Sequence, residues 1–502
     1  MHTLHSFPVL SAEEAAEMIP NGATIGFSGF TPAGAAKAVP KALAAKARRV
    51  HAEGKPFKVR VLTGASTGKD LDEELAQANA ISWRAPYASS KTLRQQMNKG
   101  EVDFVDMHLS HLPQAVAEGF LGKIDYAVIE ATEITPDGRV YLSSSIGASP
   151  TYLKYAEKVI IEINSYHTPR VSEMADIYLL PPPPYRSPIP IHHPLTRMGH
   201  LYAVVDPKKV VAIVETNQPD DVGEFAPMDA ESEAIGRNVV KFLLQELHSG
   251  RIPKEFLPLQ SGVGNIANAV LAGLGKADEI PQFMMYTEVF QDSVLDLMKQ
   301  GKVVGASTCS LTLSPPRLQE LYNNLDELAP QIVLRPQELS NNPGVVRRLG
   351  VITTNTALEV DLYGHANSTH VSGTYMMNGI GGSGDFTRNA FLSIYMAPSV
   401  AKGGKISTIV PMASHVDHNE HSVHVVITDQ GIADLRGLAP LERARSIINN
   451  CAHPAYRPYL LDYLKSSGPG HIQHNLERVF ELHLNLQRHG AMLPELDLKQ
   501  FA

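Results

Sequence analysis

Short apolar runs alternate with longer amphipathic stretches along the whole chain. The runs at residues 126–129, 159–163 and 210–214 are almost continuously apolar and rich in β-branched side chains. Such runs are typical of parallel strands that helices cover on both faces of a sheet. Runs of the same kind predict further strands at residues 58–62, 102–106, 282–289, 331–334, 351–353, 406–410 and 423–427. The pattern therefore predicts an α/β fold built on open sheets.

One amphipathic helix separates two strand-rich parts of the chain. It is predicted over residues 229–248, where Asp229 can cap the first turn and Gly250 with Pro253 ends the helix. Its apolar face consists of Ile235, Val239, Phe242, Leu243 and Leu247. Because strands precede and follow this helix in similar numbers, we expect two α/β domains, residues 1–225 and residues 226–502, with a cleft between them.

Two kinds of loop bear on where a ligand would bind. Several predicted strands end in small or polar residues, at positions 63–66, 108–110 and 130–132. Open α/β sheets bind ligands outside the carboxyl ends of their strands, so these segments are candidate cleft walls. By contrast, the prolines concentrated between residues 181 and 194 predict a stiff, extended loop that wraps the surface.

A carboxylate interrupts one of the apolar runs. Glu288 stands near the end of the predicted strand at residues 282–289, between a glycine-rich turn at 261–265 and a second one at 378–385. Backbone N–H groups of such turns can stabilise an oxyanion, and an acid between two donor loops suits acyl transfer to a carboxylate. Taken singly, a glutamate at a strand end is more often structural, and a Gly-x-Gly is more often a tight turn.

The dense glycine run at residues 379–384 matches two nucleotide-binding motifs poorly. No Lys-Ser or Lys-Thr pair follows it, as a P-loop requires. No predicted strand runs straight into it and no predicted helix opens directly after it, as a dinucleotide-binding turn requires. Either cysteine, Cys309 or Cys451, could be a nucleophile, but neither has a local context that favours this role.

A histidine-rich segment offers a competing, metal-dependent chemistry. Residues 414–424 contain a histidine at every third position beside two acidic residues, namely His415, His418, His421 and His424 with Asp417 and Glu420. No cysteine joins them, and the flanking pattern is that of a strand and a loop. We therefore interpret the segment as a polar loop near the cleft and expect no metal. A zinc hydrolase, which would carry stoichiometric metal, is the alternative.

Composition and charge exclude several classes of protein. The 502 residues are 43% hydrophobic and carry a net charge of −8, so a globular fold is expected and a nucleic-acid-binding surface is not. The two cysteines imply no disulfide framework. The N-terminus lacks a leader pattern, and no apolar run is long enough to span a membrane. A soluble, cytoplasmic protein is the expectation.

Six motifs together resemble the acetyl-CoA hydrolase/transferase family, a branch of the class I CoA-transferases. They lie at residues 26–34, 82–87, 259–266, 286–288, 378–386 and 430–437. The likeness extends over nearly the whole chain and is greatest to bacterial members that exchange CoA between succinyl-CoA and acetate. It implies two open-sheet α/β domains of the NagB/RpiA/CoA-transferase type. Exchange between propionyl-CoA and succinate, and hydrolysis of acetyl-CoA, are the alternative activities.

The resemblance also implies roles for individual residues. Glu288 would be the nucleophile, and the backbone N–H groups of Val263, Gly264 and Gly382 would form the oxyanion hole. Asp429 stands where close relatives carry a glutamate that is expected to contact the catalytic carboxyl, so the shorter side chain changes that geometry. The positions implied to contact coenzyme A are Gln260, Ser261, Gly262, Val263, Gly264, Asn265, Asn341, Asn378, Gly382 and Lys402.

The implied mechanism needs no metal and no prosthetic group, since coenzyme A itself is a substrate. An ionised Glu288 would attack an acyl-CoA and then hold CoA as its own thioester before passing it to a second carboxylate, which predicts ping-pong kinetics. Acyl-CoA and small carboxylates are the expected partners, and the family suggests a homodimer. The acceptor carboxylate could be bound by Arg84, Arg197 or Arg436. A non-catalytic CoA sensor on the same fold is the alternative from another class, disfavoured by the presence of Glu288.

Overall fold

A computed structural model describes residues 6–184, 186–223 and 228–495 of the chain. Within these ranges the strands form two large open sheets, one from residues before 217 and one from residues after 258. We call the described residues up to 223 the N-terminal half and those from 228 onwards the C-terminal half. The predicted α/β fold with two open sheets is confirmed. The predicted boundary between residues 225 and 226 lies outside the described residues and stays a prediction.

The sheet of the N-terminal half is parallel across its main part. Its strands run in the order β4-β3-β2-β1-β5-β7-β9, while β6 pairs antiparallel with the distal part of β5 and also with β8. The bounds are β1 Thr24–Phe27, β2 Val59–Leu62, β3 Ile81–Ala85, β4 Asp103–Phe104, β5 Tyr126–Ile134, β6 Arg139–Leu142, β7 Lys158–Asn164, β8 Ala203–Val204 and β9 Val210–Thr216.

The sheet of the C-terminal half has the order β15-β13-β11-β10-β16-β21-β25-β26, in which only β26 is antiparallel to its neighbour. Its strands are β10 Leu259–Ser261, β11 Phe283–Tyr286, β13 Val303–Thr308, β15 Ile332–Leu334, β16 Ile352–Thr356, β21 Leu392–Met396, β25 Val425–Thr428 and β26 Gly431–Asp434. Short strands in small sheets complete this half: β12 Val289–Gln291, β14 Ser310–Thr312, β17 Glu359–Asp361, β18 Ala366–Asn367, β19 His370–Val371, β20 Tyr375–Met376, β22 Val400–Ala401, β23 Ile406–Ser407 and β24 Ile409–Val410.

Helices supply the crossovers that parallel strands require. In the N-terminal half they are α1 Ala12–Glu17, α2 Ala38–Ala52, α3 Glu74–Gln77, α4 Lys91–Asn98, α5 His111–Ala117 and α6 Ser149–Tyr155. In the C-terminal half they are α7 Ala230–His248, α8 Asn265–Lys276, α9 Asp292–Lys299, α10 Pro315–Asn323, α11 Leu325–Leu328, α12 Gln337–Ser340, α13 Pro343–Leu349, α14 Ser383–Thr387, α15 Pro440–Asn450, α16 Arg457–Ser466 and α17 Glu481–His489. None of the helices in the described ranges is long and apolar enough to cross a membrane.

The helix predicted at the junction is confirmed as α7. The Asp229 side chain accepts a hydrogen bond of 2.7 Å from the backbone N–H of Ser232, which satisfies one of the free donors of the first turn. The predicted apolar face is buried at Ile235, Val239, Phe242 and Leu243. The spacing of the apolar residues and the Asp229 cap were therefore sufficient to predict this helix.

Four predictions of elements were wrong in detail. The predicted strand at residues 282–289 is divided into β11 and β12, and Glu288 lies in the link between them. The run at residues 406–410 is split into β23 and β24, and both pair in small sheets rather than in the main one. Residues 130–132 lie inside β5 instead of following it, because pairing with β6 extends the strand. A helix, α14, opens at Ser383 within the glycine-rich segment, where none was expected.

The proline-rich loop packs on the C-terminal half. The carbonyl groups of Pro194 and Thr196 accept hydrogen bonds from the Arg335 guanidinium, and Ile191 is buried against Tyr286. The largest apolar core also includes side chains of both sheets, such as those of β5, β7, β11 and β13. The two halves are thus joined by a continuous core as well as by loop contacts.

Candidate active site

A cavity of about 440 Å³ lies between the carboxyl ends of the two sheets. From the N-terminal half it is lined by residues that follow β1, β2, β3 and β9, including Phe30, Ser66 and Val222. From the C-terminal half it is lined by residues that end or follow β10, β11 and β16, including Ser261, Glu288 and Asn355. This position matches the rule that open α/β sheets bind ligands beyond the carboxyl ends of their strands. Segments 63–66 and 108–110, predicted as cleft walls, contribute Ala65, Ser66 and Leu109.

Glu288 reaches this cavity from the short link between β11 and β12. Its backbone carbonyl accepts hydrogen bonds from Thr308 Oγ1 at 2.7 Å and from the Cys309 N–H at 3.0 Å. Its carboxylate accepts a hydrogen bond from Asn341 Nδ2. A Cβ atom at Gly382 would lie 1.4 Å from Glu288 Oε1, so the absence of a side chain at position 382 makes room for the carboxylate.

The environment of Glu288 raises its pKa to about 7. Burial in the cavity wall is the main cause, because it disfavours the charged form. The hydrogen bond from Asn341 lowers the pKa, and the like charge of Asp385 raises it. With a pKa of about 7, protonated and ionised forms of Glu288 coexist near neutral pH, whereas the ionised form alone was expected from the sequence.

A second carboxyl group, Asp385, belongs to the same site. It is buried in the first turn of α14, and Ser110 of the N-terminal half donates its N–H to Oδ2 at 3.0 Å and its hydroxyl to Oδ1 at 2.6 Å. Asn341 Nδ2 lies 3.4 Å from Asp385 Oδ2, so this amide lies between the two acids. Burial raises the pKa of Asp385 to about 7. In the sequence analysis Asp385 is only the last residue of the glycine-rich turn at 378–385, and no role is predicted for it.

The predicted oxyanion donors lie in two turns. Val263 and Gly264 form the turn before α8, where Gly264 is the N-cap residue with a φ of +113°; Gly382 is the N-cap residue of α14. Among the hydrogen bonds of the described residues, none uses the backbone N–H of these three residues, whereas the Gly262 N–H donates to the Thr354 carbonyl at 3.2 Å. Free N–H groups at helix N-termini are suited to binding negative charge. Their role in an oxyanion hole stays a prediction.

The positions implied to contact coenzyme A fall along two neighbouring cavities. Gln260, Ser261, Gly262, Val263, Asn378 and Gly382 line the cavity that holds Glu288. Val263 also lines a second cavity of about 610 Å³, together with Asn265 and Lys402. Gly264 lies between these lining residues in sequence, and Asn341 contacts Glu288. An extended ligand could therefore pass Val263 from one cavity to the other.

The expected contact between Asp429 and Glu288 is absent from the hydrogen bonds of the described residues. Both oxygens of Asp429 are engaged elsewhere: Oδ1 accepts from the Ser399 N–H, and Oδ2 accepts from Ser399 Oγ at 2.9 Å and from Gln430 Nε2 at 2.8 Å. The short side chain is thus held at the end of β25. In this structure Asn341, and not Asp429, is the hydrogen-bond partner of the Glu288 carboxylate.

The three candidate arginines are engaged away from the cavity. Arg84 is fully buried against Asp72, with Nε 2.9 Å from Oδ1. Arg197 donates to backbone carbonyl groups of both halves, and Arg436 pairs with Asp434 and Glu246. None of them lines the cavity around Glu288, and no lysine or arginine appears among its described lining residues. Their side chains have structural partners, which sequence spacing cannot reveal.

The histidines of segment 414–424 have separate partners rather than a common centre. His418 Nε2 lies 3.0 Å from Ser383 Oγ, His415 Nε2 lies 3.2 Å from Asp417 Oδ1, and His424 Nδ1 accepts from the Ser393 N–H. His418 therefore touches the glycine-rich loop, as expected of a polar segment near the cleft.

Among the described residues, possible metal-ligand atoms do come close together in a different place, at Glu130, His167 and Asp220. Lys37 Nζ lies 2.5 Å from Glu130 and 3.0 Å from Asp220 in the same buried cluster. An ammonium group thus already supplies positive charge between the carboxylates.

One further motif, a possible serine nucleophile elbow, was not recognised in the sequence analysis. Residues 64–68 read Gly-Ala-Ser-Thr-Gly, the spacing of a serine nucleophile elbow, and Ser66 lines the cavity after β2. In the part of the chain that the structure describes, no histidine is hydrogen-bonded to Ser66. A Ser–His pair at this position is therefore not supported by the geometry.

Comparison with known proteins identifies the family. The models of the acetyl-CoA hydrolase/transferase N-terminal and C-terminal domains match residues 5–215 and 318–464. The chain is 58% identical to a protein named propanoyl-CoA:succinate CoA transferase from Escherichia coli, with 96% of this chain and 98% of the relative covered. It is 48% identical to a protein named succinyl-CoA:acetate CoA-transferase from Clostridium kluyveri, with 96% and 90% covered.

Two solved structures share the fold. RipA from Yersinia pestis matches with a TM-score of 0.70 at 24% identity, with 91% of this chain and 97% of that chain covered. A 4-hydroxybutyrate CoA-transferase from Porphyromonas gingivalis matches with a TM-score of 0.61 at 21% identity over the same shares. At these identities the likeness concerns the fold alone. The two family models together match more than half of the chain, and the 58% identical relative is aligned over 96% of it, so the chain belongs to the acetyl-CoA hydrolase/transferase family of enzymes.

Proposed function

We propose that the enzyme exchanges CoA between succinyl-CoA and a short monocarboxylate through a thioester on Glu288. Succinate or its CoA ester occurs in the names of both relatives described above, at 58% and 48% identity. The second substrate differs between them. Because the more similar relative is named for propanoyl-CoA, propanoate is the preferred monocarboxylate and acetate the second candidate, which reverses the order expected from the sequence.

The observation that carries the proposal is the position of the Glu288 carboxylate. It contacts Asn341 and Gly382 in a cavity that is also lined by Val263, and the backbone N–H groups of Val263 and Gly382 have no hydrogen-bond partner among the described residues. A carboxylate with no neighbouring histidine base can act as a nucleophile, because its ionised form needs no proton removed.

The reaction balances without an external acid or base. Glu288 attacks the thioester carbonyl of the acyl-CoA, and the C–S bond breaks to give a mixed anhydride and CoA thiolate. The thiolate attacks the glutamyl carbonyl, which releases the first carboxylate and leaves a glutamyl-CoA thioester. A second carboxylate then repeats these steps in reverse order and restores ionised Glu288. Each step passes through an oxyanion that the free N–H groups of Val263, Gly264 and Gly382 can stabilise.

The cavity wall favours short aliphatic acyl groups. Phe30, Ala65, Leu109 and Val289 form a buried apolar cluster that lines the cavity beside Glu288. The hydroxyl groups of Thr31 and Thr312 lie on the same side. A two- or three-carbon chain would bury its methyl group against this cluster, whereas a bulky acyl chain would meet the ring of Phe30.

A trapping experiment tests the proposal. The protein is incubated with propanoyl-CoA alone, the covalent adduct is reduced with borohydride, and the modified peptide is mapped by mass. We expect modification at Glu288 and none in the Glu288→Gln variant, with Glu338→Gln, a buried glutamate that does not line this cavity, as the matched control. Modification at another residue would show that the nucleophile is assigned wrongly.

Hydrolysis is the second candidate, because the matching family models carry both activities in their description. The same glutamyl intermediate would then react with water. Loss of propanoyl-CoA and release of free CoA, measured with and without added succinate, separate the two. Transfer predicts that turnover of propanoyl-CoA depends on succinate and yields succinyl-CoA without free CoA, while hydrolysis predicts free CoA at an equal rate without succinate.

A further inference from the structure

The amide of Asn341 has an orientation that its neighbours determine. Its Nδ2 donates to Glu288 Oε1 and lies 3.4 Å from Asp385 Oδ2. Its Oδ1 is buried and has no hydrogen-bond partner among the described residues. A buried amide oxygen without a partner is costly, so the arrangement must be stabilised from the other end of the amide.

Asp385 provides that stabilisation. An ionised carboxylate only accepts hydrogen bonds, so an amide beside it is favoured with its NH₂ group towards the acid. Rotating Asn341 by 180° would bring Oδ1 against the oxygens of both Glu288 and Asp385. Ser110, from the N-terminal half, holds both oxygens of Asp385 with its N–H and its hydroxyl. Asp385 is therefore fixed in place before any ligand binds.

We propose that Asp385 is a positioning residue for the reaction of Glu288. Held by Ser110, it keeps the Asn341 amide turned so that Nδ2 donates to the Glu288 carboxylate, and to the oxyanion that forms when Glu288 carries an acyl group or CoA. The inference rests on the proposed covalent role of Glu288. It adds a chain of contacts, from Ser110 through Asp385 and Asn341 to Glu288, that joins the two halves of the molecule at the reacting atom.

The charge of Asp385 adds a second, separable effect. Three described groups interact electrostatically with the Glu288 carboxyl: Asp385, Tyr87 and Cys309. Burial raises the pKa of Tyr87 and of Cys309, so both are neutral near pH 7. Asp385 is the only one of the three that can be ionised there. Asp385→Asn should therefore move the pH at which Glu288 becomes reactive to lower values, while it slows the reaction through the loss of amide orientation.

The experiment compares Asp385→Asn, Ser110→Ala and Ser110→Thr with the wild type. For each, kcat, KM for propanoyl-CoA and the pH dependence of adduct formation are measured, with Asp434→Asn as a control acid that pairs with Arg436 outside the cavity. We expect Asp385→Asn to lower kcat about tenfold to a hundredfold, less than the roughly hundredfold to thousandfold loss when an oxyanion-hole donor is removed, because Asn341 itself remains. KM should change little. The pH below which adduct formation slows should move to lower values. Ser110→Ala should lower kcat and Ser110→Thr should restore it.

The outcomes separate this inference from the proposed function. If the wild type forms no adduct at Glu288, the proposed function fails and the inference fails with it. If the wild type forms the adduct and Asp385→Asn keeps both its kcat and its pH profile, only the inference is overturned. If Asp385→Asn does not fold, the serine variants decide: loss in Ser110→Ala with recovery in Ser110→Thr supports the inference, and an unchanged kcat in Ser110→Ala overturns it.

Discussion

The pKa of Glu288 and the requirement for glycine at position 382 both result from contacts with neighbouring side chains. Glu288 is an ordinary glutamate in sequence, yet burial, the amide of Asn341 and the charge of Asp385 together raise its pKa to about 7. Gly382 is needed for a different reason: any side chain there would overlap the Glu288 carboxylate. At this scale, a change of one or two atoms should alter the chemistry while leaving the fold intact.

The raised pKa of Glu288 predicts a pH dependence. Only the ionised carboxylate is nucleophilic, and a pKa raised to about 7 means that the ionised fraction falls as the pH drops through that value. The single-turnover rate of adduct formation should therefore rise with pH and level off above about 8. Measuring the release of propanoate, or the protein-bound CoA, against pH in a single turnover without acceptor checks this. A rate that stays constant down to pH 5 would contradict it.

Replacing Gly382 with alanine should abolish transfer. The new Cβ would lie 1.4 Å from Glu288 Oε1 and 2.3 Å from Asn341 Nδ2, so the carboxylate must leave its position. We expect kcat to fall by at least about a hundredfold, the range seen when oxyanion stabilisation is lost. Gly468→Ala, where a Cβ would meet no atom within 4 Å, is the control and should keep wild-type kcat. Similar activity in both variants would show that the contact is unimportant.

At the scale of elements, the segment from Met376 to Asp385 is held mainly by the N-terminal half. Arg94 and Asn98 of α4 donate to the carbonyl groups of Met377 and Met376. Further contacts come from Tyr87, whose hydroxyl accepts from Asn378 Nδ2; from Asp106, which accepts the Ile380 N–H; and from Leu109, whose N–H donates to the Gly381 carbonyl. A segment that belongs to one half in sequence thus takes its shape from the other half.

Asp106 should therefore influence the position of Gly382 without touching it. Its Oδ1 and Oδ2 lie 2.9 and 3.0 Å from the Ile380 nitrogen, two residues before Gly382. Asp106→Ala should lower kcat about twofold to tenfold, which corresponds to the loss of one hydrogen bond. Asp106→Asn keeps an acceptor oxygen and should stay near wild type. Steady-state kinetics of the pair checks this, and equal effects of alanine and asparagine would argue against a positioning role for the hydrogen bond.

At the scale of the whole molecule, a buried ion network supports the loops of the cavity. Lys37 pairs with Glu130 on β5 and with Asp220, which also accepts the Gly34 N–H and the Ser144 hydroxyl. His167 lies in the same cluster and contacts Tyr322 of the C-terminal half at 2.8 Å. Asp220 precedes Val222, which lines the cavity. The network thus connects the core, the junction of the halves and a wall of the site.

Breaking this network should destabilise the whole protein. Lys37→Met removes the ammonium group and leaves two buried carboxylates without their cation, which typically costs about 3–5 kcal/mol. Lys123→Met is the matched control, because Lys123 pairs with Glu157 at the surface and should leave the melting temperature unchanged. Thermal unfolding of the two variants checks this. Equal melting temperatures would mean that His167 and the surrounding hydroxyl groups compensate for the lost charge.

Local patterns were sufficient for much of the architecture. Near-continuous apolar runs predicted buried parallel strands, because side chains covered on both faces have no polar face to alternate with. The helix α7 and its Asp229 cap followed from spacing and a short-range hydrogen bond. Predictions failed where pairing across the sheet changed an element, as in the extension of β5 by β6 and the division of residues 406–410 into two short strands.

The sequence by itself determined the α/β class and most of the strand ends that line the cavity, since each depends on residues that are near in the chain. It also marked Glu288 and two glycine-rich turns as candidates, but not how they meet. Tertiary structure alone decided which distant groups meet. Asn341 lies 53 positions from Glu288 and 44 from Asp385, while Ser110 comes from the other half. Arg84, Arg197 and Arg436 were indistinguishable candidates until folding gave each its partners. Hydrogen bonding, burial and charge act through space, so the pKa of Glu288 and the orientation of Asn341 exist only once the chain has folded.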